Sequence, residues 1–374
     1  MTAGSGTDSS RQAELAEARE ELRTIARDLL GKRRPPAAPA WAQLAASGWL
    51  GLEVPSALDG GDATFAEVAV IAEEFGRAVA CGPYLGSTVL GVGTLRELAP
   101  HPDRDALLRQ AAAGAELPVA VLADGASANG GVPFWVAKTA GGLRLHGQAA
   151  FAPDAAAASR LLVLARAVED GAPVVVAANP DTAGIVIEPQ PVVDETRRLA
   201  VVRADAAAVA AGSVWRFAGD PNAAVRRLLD RAAVAVACDS LGLSEAMLDA
   251  TVGYARVREQ FGRPIGSFQA VQHACADMLV KVRVARALVA AAVTAVAGDA
   301  AGVSAADVSA AASMAKAYAG QAAVEVTGKA MQLHGGIGYT WESGIHVYLK
   351  RAALNRSLFG APAAHRQRLA ARYR

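Results

Sequence analysis

No proline interrupts the chain from Asn222 to Arg263, and that stretch restricts the available folds more than any other part of the sequence. At 1.5 Å per residue, a continuous helix there is roughly 60 Å long. A helix of that length needs neighbours to cover its apolar side, which places it in a bundle and at contacts between subunits. Three further helical stretches follow, beginning near Ser267, Ser304 and Val347. The first carries Phe268, Val271, Cys275, Met278 and Val282 on one stripe.

Upstream the texture differs. From Leu117 to about Ala211 the chain reads as short Val-rich runs parted by Gly, Pro and Asp: Pro118 to Leu122, Phe134 to Lys138, Leu143 to His146, Leu161 to Leu164, Val174 to Ala178, Ile185 to Ile187 and Leu199 to Val202. Such runs predict a compact β-barrel or sandwich. The first third is helical again. Gln12 to Leu30 sets Leu15, Ala18, Leu22, Ile25 and Leu29 on one stripe, Trp41 to Pro55 holds a short helix stopped at Gly48, and Phe65 to Val79 carries Glu73, Glu74 and Arg77 on its polar side. Residues 1–10, rich in Gly, Ser and Thr, read as a disordered tail. The expected organisation is α+β: a helical domain over 11–116, a β domain over 117–211 and a four-helix bundle over 212–374.

A length of 374 residues exceeds what one hydrophobic core usually serves. With 53% apolar but only 5% aromatic residues, the core is built mainly of Ala, Val and Leu, which suits closely packed helices. The net charge of +1 gives no broad field for nucleic acid or a membrane surface, and no apolar run is long enough to span a bilayer. Cys81, Cys238 and Cys275 lie far apart without metal-ligand spacing and are read as thiols in a reducing cytoplasm. These features point to a small-molecule enzyme or an interaction subunit.

Two motifs carry the chemistry. The first is Tyr254-Ala-Arg-Val-Arg258-Glu-Gln-Phe261-Gly-Arg-Pro-Ile-Gly-Ser-Phe268-Gln269, where the long helix ends in a turn and another begins. The second is Gln332-Leu-His-Gly335-Gly336-Ile-Gly338, continuing through Trp341 to Arg351. Its glycines do not form a Rossmann fingerprint, which needs a strand before it, whereas here a helix precedes with Ala319, Ala322, Val326 and Ala330 on one face. Taken alone they are a helix-ending turn, and Arg258 alone is a cation in a last helical turn. Together, in this order and spacing, the two motifs resemble the signatures of the acyl-CoA dehydrogenase family.

That resemblance implies FAD as cofactor, with Arg258 on its pyrophosphate, where a guanidinium offers planar donors to phosphate oxygens. It makes Phe261, Gln269, Gln332, Gly335 and Gly336 further cofactor contacts, the last three reaching across to a neighbouring subunit. It also implies an acyl-CoA substrate that loses its α-proton to a carboxylate and its β-hydrogen, as hydride, to the flavin. Electrons then pass to an electron-transferring flavoprotein, and the assembly is a homo- or hetero-tetramer.

The chain departs from the family where the base should be. In one subgroup the glutamate lies in a Tyr-Glu-Gly-Thr, and here Phe359 holds its place; in another it lies early on the long helix, and here that position is Ala232. Asp239, seven residues on and on nearly the same helix face, is the remaining candidate, to be weighed equally against a helix-interface ion pair with an arginine; Glu245 is the runner-up. Asp249 and Glu259 read as exposed charges, and His273, Asp277 and Lys281 as a polar face.

The β region departs as well. Where the family has a Thr-Glu loop and a Trp-Ile-Thr strand at the flavin, this chain has 123–131 without Thr or Glu, and Phe151-Ala152-Pro153. Asp194-Glu195-Thr196-Arg197-Arg198-Leu199 and Leu358-Phe359-Gly360 resemble a bacterial branch assembled from two unlike chains, often acting on bulky acyl-CoAs including steroid fragments. Two functions follow: α,β-dehydrogenation of an acyl-CoA, alone or as one subunit of a heterotetramer, or a catalytically silent subunit that completes the FAD site of a second acyl-CoA dehydrogenase-like chain. A flavin monooxygenase of the same fold is disfavoured by the Gln332–Gly336 text. The C-terminal Arg366, Arg368, Arg372 and Arg374 read as a solvated tail in preference to a CoA-phosphate contact.

Overall fold

The computed structural model describes residues 4–31, 36–123, 131–298 and 302–372. Helices α1 (Gly4–Gly31), α2 (Trp41–Ala46) and α3 (Phe65–Arg77) open the chain, followed by a buried π-helical segment Tyr84–Val92, α4 (Gly93–Glu97) and α5 (Pro102–Ala112). The start of α1 at Gly4 corrects the expected tail over residues 1–10, of which 1–3 lie outside the described residues. Helix α3 starts where Thr64 accepts from the Ala66 N–H and the Glu67 carboxylate reaches back to the Thr64 N–H, satisfying donors the helix itself cannot pair.

Every strand run expected from the sequence is a strand. They are β1 (Pro118–Val121), β2 (Phe134–Thr139), β3 (Gly142–Pro153), β4 (Arg160–Arg166), β5 (Pro173–Ala178), β6 (Ile185–Gln190) and β7 (Leu199–Val209), and β8 (Val214–Trp215) carries the sheet beyond residue 211. The order is β6-β7-β3-β2-β4-β5-β8, with β1 and β2 both parallel to β4 and the other pairings antiparallel. Strands β1, β4 and β5 are buried on both faces. Leu161, Val163 and Val174 point into the β domain's own core, while Leu162, Leu164 and Val175 pack against the helices. That double burial explains why these strands read as continuous apolar runs.

The C-terminal part is α6 (Pro221–Val257), α7 (Gln269–Ala297), α8 (Ala305–His334) and α9 (Ile345–Ser357), the bundle expected, plus α10 (Pro362–Arg372), which packs on α8. Asp220 caps α6 by accepting from the Asn222 N–H, with Pro221 in the first helical position. Helix α6 stops at Val257 instead of continuing to Arg263, because a two-stranded turn follows: β9 (Glu259–Gln260) pairs with β10 (Arg263–Pro264) around Phe261 at φ 55° and Gly262 at φ 76°. Helix α10 is locked by the buried His365 ring between Ser313 and the Phe359 carbonyl. Among the described residues no helix is long and apolar enough to cross a membrane.

Helices α3 and α6 cross at two glycines. A Cβ on Gly76 would lie 1.9 Å from the Asp239 carbonyl oxygen, and one on Gly242 only 1.8 Å from that of Glu73. This close approach brings the polar groups of α3 and α6 into one buried layer. Gly242→Ala is therefore expected to lower stability by about 3 kcal/mol in denaturant titration. The control Gly328→Ala, whose Cβ meets nothing within 4 Å, should be neutral or stabilise by up to about 1 kcal/mol through helix propensity.

Candidate functional site

The two motifs singled out from the sequence meet at one end of the bundle. Tyr254, on the last turn of α6, stacks on His334 at the end of α8 with ring centroids 4.4 Å apart, and the His334 Nδ1 lies 2.8 Å from the Ala330 carbonyl. The turn after α6 is stiffened by Ile265 N–H donating to the Arg258 carbonyl at 2.8 Å, by Phe261 packing edge-on against Phe268, and by the Arg263 guanidinium 4.1 Å from the Phe268 ring centroid. Arg258, Phe261, Gln269, Gln332, Gly335 and Gly336 are all exposed there.

This end fits a flat, phosphorylated cofactor approached from outside. Phe261 is 90% exposed and Trp341 73%, an apolar surface that a soluble protein rarely leaves bare. Gly335 sits at φ 61°, its N–H donating to the Gln332 carbonyl, and a Cβ on either Gly335 or Gly336 would meet nothing within 4 Å, so a ligand can approach this backbone without meeting a side chain. The Gln332 side chain is oriented by Lys329, which donates to its Oε1 at 2.8 Å. When bound, FAD supplies the hydride acceptor; this end offers it one guanidinium, amide groups and an aromatic face.

The edge of the β domain that the resemblance sets against the flavin is built differently. Pairing of β3 with β7 slips between Ala149 and Ala152; there Phe151, at φ 56°, is half exposed and donates its N–H to the Gln190 side chain at 2.9 Å instead of to a strand. Pro153 brings no N–H. Residues 124–130, the counterpart of the family's Thr-Glu loop, lie outside the described residues.

The base positions hold no acid. Ala232 and Phe359 are both buried. Asp239 is buried too, and both its oxygens are occupied. Arg351 Nε donates to Oδ1 at 3.1 Å and Nη2 to Oδ2 at 2.6 Å, Arg197 Nη2 lies 3.0 Å from Oδ2, and Asn355 Nδ2 donates to Oδ1 at 2.6 Å. Arg351 also reaches the Thr196 Oγ1 at 2.7 Å and the Ala80 carbonyl at 3.3 Å. Burial alone would raise the Asp239 carboxyl; the charges and hydrogen bonds of Arg351 and Arg197 outweigh it and hold it below the ordinary carboxylate value. A carboxylate bound this way is a weak proton acceptor, so the geometry favours the ion-pair reading over the base reading. Beside it a void of only about 20 Å³ remains between Tyr84, Leu85, Ala235 and Asp239, too small for an acyl chain.

Glu245, the runner-up, pairs with Arg286, which also holds Glu73 at 2.8 Å. Glu73 and Glu74, expected on a polar face, are buried because α1 packs over them, bringing Arg23 to Glu73 at 2.7 Å and Arg27 to Glu74 at 2.7 Å. Asp154, just past β3, was not anticipated. It sits at φ 60°, accepts the Gly86 N–H at 2.8 Å, and burial pushes its carboxyl up to about 6. Its signal in the sequence was slight, an acid following a proline at a strand end.

The fold is of the helix, sheet and bundle type, with both motifs at one end of the bundle. Models of the acyl-CoA dehydrogenase N-terminal and C-terminal domains match residues 10–115 and 222–373. The acyl-CoA dehydrogenase IpdE2 of Mycolicibacterium smegmatis is 31% identical over 324 residues, 86% of this chain and 83% of that protein; IpdE2 of Mycobacterium tuberculosis is 30% identical over 92% of this chain and 94% of its own length. Among solved structures, the Tcur3481-Tcur3483 steroid ACAD G363A variant superposes with a TM-score of 0.82 at 27% identity, covering 96% of this chain and 98% of the other. The chain belongs to the acyl-CoA dehydrogenase family, flavin-dependent oxidoreductases that act on acyl-CoA with FAD as cofactor.

Replacing Asp239 by Asn leaves two buried guanidiniums without their shared counter-charge, and we expect a loss of about 3–5 kcal/mol of stability at neutral pH. Because the folded-state pKa is depressed, this contribution is complete above the unfolded carboxylate value of about 3.9 and is lost as pH falls through the folded value. Wild-type and Asp239→Asn denaturation curves should therefore converge only in acid. Unchanged stability with turnover abolished would be the signature of a base instead.

Proposed function

We propose that this chain is a base-less subunit of a heteromeric acyl-CoA dehydrogenase. It contributes Arg258, Phe261, Gln269, Gln332, Gly335 and Gly336 to an FAD site whose flavin-facing pocket and catalytic carboxylate come from a second, unlike chain. The observation that carries this reading is the pairing of Asp239 with Arg351 and Arg197, at the end of a helix face where Ala232 stands in the base position. With Phe359 at the other base position, neither place where the family carries its glutamate holds an acid in this chain. The likeness to a structure named for two components, Tcur3481-Tcur3483, supports the two-chain arrangement, and that structure's steroid label makes a bulky acyl-CoA the favoured substrate class.

In the assembled enzyme the second chain would supply the carboxylate that takes the α-proton, and FAD, held in part by this chain's residues, would supply the hydride acceptor and pass electrons to an electron-transferring flavoprotein. The role of this chain is to hold the cofactor: a permanent positive charge at Arg258 offsets phosphate charge, and the glycine turn lets backbone amides close on the ligand. The oxidation is thus an activity of the complex, with this chain supplying part of its cofactor site.

Arg258→Ala is the direct test. It should strip FAD from the purified complex, lowering flavin occupancy at least about tenfold at limiting FAD, as expected for loss of a charge-assisted phosphate contact worth about 1.5–3 kcal/mol. The two chains should still co-elute. Full flavin occupancy in the variant would contradict the clamp assignment.

A further inference from the structure

The π-helical segment Tyr84–Val92 is buried along its whole length and carries no charged side chain. Two glycines seat it on the β domain: a Cβ on Gly86 would lie 2.4 Å from the Pro153 carbonyl oxygen, and one on Gly91 only 2.1 Å from that of Pro118. Through Tyr84, Leu85 and Val89 it also borders the void beside Asp239. Helical turns of this rare kind are frequent at functional sites.

One acidic side chain ties the segment down. Asp154, just past β3, is 7% exposed, and its Oδ2 accepts the Gly86 N–H at 2.8 Å. Its own N–H donates to the Arg198 carbonyl at 2.8 Å and its carbonyl accepts the Ala157 N–H at 2.9 Å, which fixes the residue at φ 60° where strand, loop and π-helical segment meet. Among the described residues no cation lies within ion-pair distance of this carboxyl. Arg197 and Arg198, on the loop before β7, and Arg351, on α9, act on it from further away, and Arg197 and Arg351 are already committed to Asp239. The other titratable groups around the joint are Asp194, which accepts from Thr196, and Cys81 and Tyr84, both kept protonated by burial.

We propose that Asp154 is a proton-operated latch: protonated, it holds the π-helical segment against the β domain and over the void beside Asp239, and ionised, it lets the segment lift. The physical cause is burial with a single N–H partner, which favours the neutral acid in the closed joint. The closed joint keeps its proton up to about 6, whereas a hydrated carboxyl loses it near about 3.9. A raised value in an acid fixes the sign: closure is strongest in mild acid, weakens as pH climbs from about 4 to about 6, and levels off above. On opening, the carboxyl is hydrated, its proton passes to solvent, and the void that is otherwise about 20 Å³ widens. The latch does not depend on which chain carries the base.

Hydrogen exchange followed by mass spectrometry on the full-length chain, with its flavin and any partner that co-purifies, reads the latch directly. After correction for the intrinsic pH dependence of exchange, the rate in peptides covering residues 84–92 is expected to rise roughly tenfold from about pH 5 to about pH 7.5, the ratio set by carboxyl values of about 6 closed and about 3.9 open. Peptides from α8 should not follow it. Asp154→Asn keeps the acceptor and tolerates the same backbone conformation but cannot ionise, so its rate should stay flat at the wild-type acid level. Asp154→Ala, without the acceptor, should exchange faster at every pH. If either variant fails to fold, the wild-type profile and the α8 control decide alone. A wild-type rate that is flat with pH, an equal rise in α8, a rise retained in Asp154→Asn, or an Asp154→Ala rate equal to wild type in mild acid would overturn the proposal.

Discussion

The buried bond between Asp239 and the guanidiniums of Arg351 and Arg197 is the interaction around which the rest of the molecule is arranged. It joins three parts of the molecule: the long helix α6, the short helix α9, and the loop that leads into β7. Burying these charges is costly unless each finds partners, and here Asn355, Thr196 and the Ala80 carbonyl complete the set. The bond therefore fixes how the β domain sits on the bundle. Beside it only a void of about 20 Å³ remains.

The glycine crossing of α3 and α6 makes this possible. Without side chains at Gly76 and Gly242 the helix backbones come close enough for their polar layers to merge. On the other side of α3, Glu73 and Glu74 are absorbed by Arg23, Arg27 and Arg286 in the same way. The result is a bundle whose ends remain free for ligands while its middle is cross-linked by charge. One end presents Arg258 and the Gln332 turn.

Much of the architecture was legible in the sequence because its signals are local. Strands β1 to β7 are marked by Val-rich runs between turn residues, and the four bundle helices by long apolar periodicity. Helix α10 was missed because a stretch dense in Arg and Ala reads as a tail until Lys316, Ser313 and His365 are seen to hold its base. Glu73 and Glu74 were placed on a polar face because their counter-charges come from α1, about 50 residues away in sequence. The two motifs were recognisable because each spans a helix end where the turn fixes residue types, Phe261-Gly262 after α6 and Gly335-Gly336 after α8. Whether Asp239 was a base or a strut could not be read from sequence, because the answer depends on Arg351, more than one hundred positions away.

Anaerobic titration with acyl-CoAs decides whether this chain clamps a flavin without owning a base. The chain would be purified free of any partner and supplied with FAD, and flavin absorbance followed as thioesters of different bulk are added. The flavin is expected to stay oxidised in the chain alone and to be reduced once the partner chain is restored. Reduction of the flavin by the isolated chain would contradict it.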